Sequence, residues 1–239
     1  MTNYDDAEVR HVLAEGELRV EGRLVDASNT TLYACARLGG CEIPCVYKPI
    51  AGERPLWDFP DGTLAYREVA AYLVSQATGW GIVPPTVLRD GPFGPGACQV
   101  WVEVDPDVDL LELLRSDHPG LQRIAVFDAV VNNADRKGGH LLPTKAGHIF
   151  GVDHGVCFAV EDKLRTVLWQ WRSQPLPADA VETLRALRDK LAGDLGAELA
   201  ALLSRQEIAA TRRRVNRLLA TRRFPEPPEH WPAIPWPPL

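Results

Sequence analysis

Apolar and polar residues alternate over 17–26 (ELRVEGRLVD), which predicts a β-strand. The turn Ala27-Ser28-Asn29-Thr30 follows, then a second strand over 31–38 (TLYACARL). Gly39-Gly40 marks another turn, and 42–49 (EIPCVYKP) reads as a third strand. The chain therefore opens with an antiparallel meander, preceded by a weakly periodic helix over 7–15. A loop rich in Gly, Pro and Asp fills 51–62. A helix is then predicted over 63–78, with Thr63 as N-cap and Gly79 just past its end. Ala65, Val69, Tyr72 and Leu73 form its apolar stripe. An edge strand over 81–88, a tight hairpin over 91–96 and a strand over 97–104 complete the first part.

Beyond residue 104 the pattern becomes helical. A short helix is expected over 110–115, and 121–131 (LQRIAVFDAVV) is apolar nearly all round, so it should be buried. Two short apolar segments, 141–142 and 148–152, are followed by a tryptophan-rich turn at 164–171. Long amphipathic helices are predicted over 178–203 and 206–222. The tail, 224–239, carries seven prolines and two tryptophans, so it cannot be helical and should pack along the surface. The expectation is an α+β chain of two closely packed parts, a β-rich lobe over 1–104 and a helical lobe over 105–239.

Composition removes several alternatives. With 46% hydrophobic residues and 24% charged residues, the 239-residue chain can build a sizeable core without metal or disulfide staples. Its net charge of −6 argues against nucleic acid as partner. The acidic, polar N-terminus is neither a secretory signal nor a transit peptide. No run approaches the ~18 apolar residues of a membrane span, so stable membrane insertion is not expected. Cys35, Cys41, Cys45, Cys98 and Cys157 are odd in number and sit in apolar surroundings, which suits buried thiols in a reducing cytoplasm. Cys35, Cys41 and Cys45 lack a paired CxxC spacing, so a zinc site there is not expected.

Candidate chemistry concentrates in 126–155. There an apolar run ends in a polar loop holding Asp135, Arg136 and His140, and the second apolar segment ends on Asp153-His154-Gly155. Lys48 closes the third strand and shares a face with Val46, which points it toward the covered side of the sheet. It is either a solvated strand end or a holder of an anion. Glu68 lies beside the apolar stripe of the first long helix, either as a partly exposed neighbour or within reach of Lys48. An inward lysine, a helix glutamate, a connecting strand and two later aspartates occur in the order of a kinase-like fold. Asp135 would then orient or deprotonate an acceptor hydroxyl, and Asp153 would hold Mg²⁺ or Mn²⁺ against ATP phosphates.

Asp135-Arg136, with a polar residue five positions after the aspartate, and the apolar strand ending Gly151-Val152-Asp153-His154-Gly155 resemble the phosphatidylinositol 3-/4-kinase superfamily. The resemblance extends to HipA-type kinases. The chain as a whole is similar to a family of small actinobacterial proteins described as phosphatidylinositol 3-/4-kinase-like. It implies a two-lobed protein-kinase-like fold and an ATP-dependent phosphotransferase. Carried across, Lys48 is the phosphate lysine and Glu68 its partner, while Ser28, Asn29 and Thr30 form the phosphate-covering turn. Asp135 is the catalytic aspartate and Asp153 the metal aspartate. Glu103 and Val104 sit where adenine is held, and Asn133 shapes the catalytic loop.

Two residues depart from the family pattern. The turn at 28–30 has no glycine, so amides and hydroxyls must replace a Gly-rich loop. His140 stands where the family places an asparagine metal ligand. As a ligand it would favour Mn²⁺ or softer metals; otherwise the metal rests on Asp153. Three functional readings follow: a kinase, a nucleotide-binding pseudokinase, and an enzyme transferring AMP. The acceptor stays open among an inositol lipid, a protein serine and a small polyol, and a monomer is expected. The seven arginines of 205–223 are either a solvated face laced with i,i+4 pairs or a contact for an anionic membrane or phosphorylated partner.

Overall fold

The computed structural model describes residues 5–24 and 29–239. Helix α1 (Asp6–Glu15) starts on a capping box, in which the Asp5 carboxylate accepts the Ala7 and Glu8 amides. Strands β1 (Glu17–Arg23), β2 (Leu32–Leu38) and β3 (Cys41–Pro49) form the expected meander. After α2 (Leu64–Thr78) come β4 (Thr86–Gly91) and β5 (Gly94–Val100). The five strands make one antiparallel sheet in the order β1-β2-β3-β5-β4.

Both faces of this sheet are covered, by different helices. Val12 and Leu13 of α1 pack on Ala34, Ile43, Cys45 and Cys98. Ala65 and Val69 of α2 pack on the opposite face, against Ala97. Lys48 pairs with Ala97 across the β3–β5 ladder, so it lies on the α2 face. The deeper core face of β3 is the other one, carrying Ile43, Cys45 and Tyr47. Lys48 does share a face with Val46, and that face is half-buried.

Three local expectations are corrected. Residues 81–85 form no strand, because Pro84 and Pro85 cannot donate to a ladder, and β4 begins only at Thr86. Strand β5 stops at Val100, leaving 101–104 as an extended connection. Thr63 sits at the N-cap position of α2, but its hydroxyl donates to the Pro60 carbonyl. The cap is supplied from the preceding loop: the Glu53 carboxylate accepts the Leu64 and Ala65 amides at 3.1 and 2.8 Å.

The helical part begins with α3 (Leu110–Arg115) and α4 (Pro119–Val131). As its all-round apolarity predicts, α4 lies in the largest core cluster, with Leu121, Ile124, Val126 and Phe127 fully buried. A short hairpin, β6 (Leu141–Pro143) with β7 (Ile149–Gly151), follows the polar loop. The predicted helix over 178–203 is broken at Gly193 into α5 (Ala178–Ala192) and α6 (Asp194–Leu199), and α7 (Arg205–Thr221) comes next. On α7, Arg214 and Arg217 share Asp162 at 3.2 and 2.6 Å, so part of the charge run serves internal pairing. The tail packs as an irregular strap. The Ala233 carbonyl accepts from the Thr166 amide and the Trp169 indole, and the Pro238 carbonyl accepts from the Gly138 amide. Among the described residues no helix is long and apolar enough to cross a membrane. All five cysteines are free thiols, four of them buried.

Candidate active site

Three chain-distant segments converge on the end of β3. The Lys48 ammonium lies 2.5 Å from Glu68 Oε1 on α2 and 2.9 Å from Asp153 Oδ1, just past β7. The other Glu68 oxygen accepts the backbone amide of His154 at 2.9 Å. Glu68 thus ties the sheet lysine to the segment that carries Asp153. Burial alone would lower the Lys48 ammonium, but Asp153 and then Glu68 outweigh it and hold the group above its ordinary value. Lys48 in turn depresses the Asp153 carboxyl strongly. Both groups are therefore charged at neutral pH.

Asp153 adopts the left-handed backbone conformation, with φ of 61°. Aspartate tolerates that region better than most residues, and non-glycine residues there are worth noting near functional sites. Its second oxygen, Oδ2, lies 3.4 Å from His140 Nε2. Burial lowers the His140 imidazole to about 4, against the attraction of Asp153, so the ring is neutral near pH 7. A neutral imidazole keeps one lone pair for coordination. Among the described residues no three His, Cys, Asp or Glu side chains form a metal cluster. A carboxylate and a neutral imidazole nevertheless fit a divalent cation whose remaining ligands are phosphate oxygens and water, with the imidazole favouring Mn²⁺ over Mg²⁺.

The loop that carries Asp135 is fixed from below by a buried network. Arg136 grips Asp128 of α4 with two bonds of 2.9 Å, both side chains being fully buried. Its third nitrogen donates to the Val152 carbonyl at 2.8 Å, and His154 Nε2 lies 2.6 Å from Nη2. Arg136 therefore welds α4, the loop and the Asp153 segment together and does not face a substrate. Asn133 donates to Asp128 at 3.0 Å and accepts the Asp135 amide at 2.9 Å, which sets the direction of Asp135. The Asp135 carboxylate is 30% exposed and 3.4 Å from Lys137 Nζ. Burial raises its pKa; the Lys137 charge opposes that and the Asp153 charge adds to it.

The sequence assigns no role to His154 or Asp128. Both are fully buried and polar. The one signal for Asp128 was an aspartate inside an otherwise apolar helix.

Beside Lys48 and Asp153 opens a cavity of about 260 Å³, walled by Val46, Val102, Val104, Leu142 and Val152. Trp101 also lines it, whereas the Glu103 side chain is exposed and does not. Asn29 and Thr30 line a second small cavity of about 50 Å³ together with Lys48, Glu68 and Asp153. The third expected turn residue, Ser28, lies outside the described residues.

The sheet and the helices belong to a recognisable fold class. The chain is similar in structure to the Golgi casein kinase, with a TM-score of 0.59 and 13% identity over 90% of this chain and 75% of that one. It is likewise similar to the Helicobacter pylori proinflammatory kinase CtkA, with a TM-score of 0.53 and 11% identity over 89% and 94%. The fold is a two-lobed, kinase-like α+β fold. The chain belongs to the family of protein Rv2133c of Mycobacterium tuberculosis, with which it is 46% identical over 99% of this chain and 97% of the relative. More distantly, it is 30% identical to phosphatidylinositol 4-kinase gamma 4 of Arabidopsis thaliana, over 53% of this chain and 27% of the plant protein. With the rice protein of that name it is 27% identical over 48% and 23%. No family model matches the chain.

Proposed function

We propose that the protein is an ATP-dependent phosphotransferase that moves the γ-phosphoryl group of ATP onto an alcohol. The observation that carries this reading is the Lys48 ammonium clamped between Glu68 at 2.5 Å and Asp153 at 2.9 Å, beside an apolar cavity. We place the lobe boundary at 104/105, so that the nucleotide lies between the sheet and the helical lobe. Adenine occupies the cavity walled by Val46, Val102 and Val104, with the connection at 101–104 offering its backbone. Lys48 neutralises phosphate oxygens, and Glu68 holds it in place. Asn29 and Thr30 cover the phosphates with an amide and a hydroxyl.

Asp153 and His140 are the residues that would hold Mg²⁺ or Mn²⁺, which when bound neutralises phosphate charge. Asp135 orients the acceptor hydroxyl and accepts its proton as the oxygen–phosphorus bond forms and ADP departs. Its raised pKa suits that role, because a more basic carboxylate accepts a proton more readily. Catalysis then comes from positioning and charge neutralisation. An inositol lipid is one acceptor the relatives suggest, since two carry that substrate in their names. A protein serine and a small polyol fit the same geometry.

A second reading has its own support. Asp153 is already engaged by Lys48 and His140, and among the described residues no three His, Cys, Asp or Glu side chains are grouped to hold a metal. Under that reading the protein holds nucleotide without turning it over. The two separate by measuring ADP formation and transfer of labelled γ-phosphate in the presence of Mg²⁺ or Mn²⁺. Label transferred from α-labelled but not γ-labelled ATP identifies AMP transfer instead.

A further inference from the structure

Away from the site, Lys163 is a buried lysine with an unusual environment. Its ammonium pairs with Asp58 at 2.9 Å and lies 5.0, 5.6 and 5.3 Å from the ring centroids of Trp57, Phe59 and Trp231. A desolvated cation among aromatic faces is held by their quadrupoles as well as by its counter-ion. The partners come from two places, the loop between β3 and α2 and the C-terminal tail, while Lys163 itself lies in the segment following Asp153. The cage is therefore a junction between chain-distant elements.

Each arm of the junction leads to the site. The loop that carries Trp57, Asp58 and Phe59 also carries Gly52, whose carbonyl accepts the Thr30 amide at 3.0 Å. Its Arg54 amide donates to Asn29 Oδ1 at 2.8 Å. Its Glu53 caps α2, the helix of Glu68. On the other side, the Lys163 amide donates to Asn132 Oδ1 at 2.9 Å, at the C-cap of α4. Arg165, two residues on, is stitched to the catalytic loop through Asn133 and Arg136 at 2.9 and 3.0 Å. One side chain thus links the phosphate-covering turn and α2 to the base of the Asp135 loop.

We propose that Lys163, closed in by Trp231 of the tail, is a positioning residue. It holds the β3–α2 loop, and through it Asn29, Thr30 and Glu68, at a fixed distance from Asp135. The inference rests on the phosphotransfer reading for its catalytic consequence, but not for its structural one. Nucleotide contacts made by Lys48 and the apolar cavity do not pass through the cage. Loosening the cage should therefore spoil alignment more than affinity.

The test uses the full chain with four substitutions: Lys163→Met, Lys163→Arg, Trp231→Ala, and Trp236→Ala as a control. Trp236 is 84% exposed and takes no part in the cage. Amide hydrogen exchange over residues 50–65 should quicken in Lys163→Met and in Trp231→Ala, but not in the control. ADP formation per folded molecule should fall roughly tenfold, the scale expected of a small misalignment, while ATP affinity changes by less than about threefold. Lys163→Arg, which keeps the charge and the aromatic contacts, should restore both. Unchanged exchange over 50–65 in Trp231→Ala and Lys163→Met overturns the proposal, as does unchanged turnover per folded molecule. If the wild type forms no ADP, the phosphotransfer reading fails, and the exchange measurement alone decides whether the cage holds the loop.

Discussion

At the scale of single residues, Lys48 is the group on which the site turns. Its ammonium balances two carboxylates, so Lys48→Met leaves Glu68 and Asp153 facing each other without a counter-charge and removes the proposed anion holder. The expected outcome is a folded protein that ATP and metal no longer stabilise in a thermal melt; wild-type stabilisation would remove Lys48 from the site. His140→Asn replaces the imidazole with an oxygen donor, and metal preference should move from Mn²⁺ toward Mg²⁺. An identical metal profile would show that His140 ligates nothing. His140 also makes a prediction about pH. Its folded-state value of about 4 lies below the ordinary 6.5, and burial lowers His154 in the same direction. Over that window the unfolded chain binds more protons, so metal-free stability should rise with pH between the two values. A urea midpoint no lower near pH 5 than near pH 7 would contradict it. Lys48, Asp135, Asp153 and His140 could be picked out from the sequence as polar groups bordering apolar segments, and Glu68 as a carboxylate beside the apolar stripe of a helix. Asp128 and His154 could not, since their partner Arg136 is reached only once α4 and β7 are folded together.

Among elements, the loop between β3 and α2 carries more than its composition suggests. Glu53 caps α2 from eleven residues away, a role that local spacing assigned to Thr63. Glu53→Ala should therefore cost about 1 kcal/mol of stability, the usual value of a lost N-cap. Thr63→Ala should cost less than Glu53→Ala; the reverse ranking in denaturant melts would return the cap to Thr63. Regular elements were legible where one period held over many residues, as in β2, β3 and α2, or where a helix-length run was apolar all round, as in α4. Prediction failed where a single residue decided the outcome. Gly193 divides the run over 178–203, and the proline pair delays β4 until Thr86. The Asp128–Arg136 weld is likewise a matter between elements. Arg136→Met leaves a buried carboxylate unpaired and should cost roughly 3–5 kcal/mol of stability, read from the same melts.

For the molecule as a whole, two lobes of unlike construction are joined where their charged side chains meet. The sheet supplies Lys48, α2 supplies Glu68, and the helical part supplies Asp153 and the Asp135 loop. The order of these parts along the chain was visible in the sequence, and with it the kinase-like fold. Which surfaces close around the acceptor was not visible, because the tail and the 159–167 segment pack irregularly and carry no period. The most direct test of phosphotransfer is ADP formation from ATP with Mn²⁺ or Mg²⁺, compared between the wild type and Asp135→Asn, with nucleotide binding measured on both. The account predicts that both proteins bind ATP and that only the wild type turns it over. No binding by the wild type at millimolar ATP with either metal, or equal turnover by the two, would contradict it.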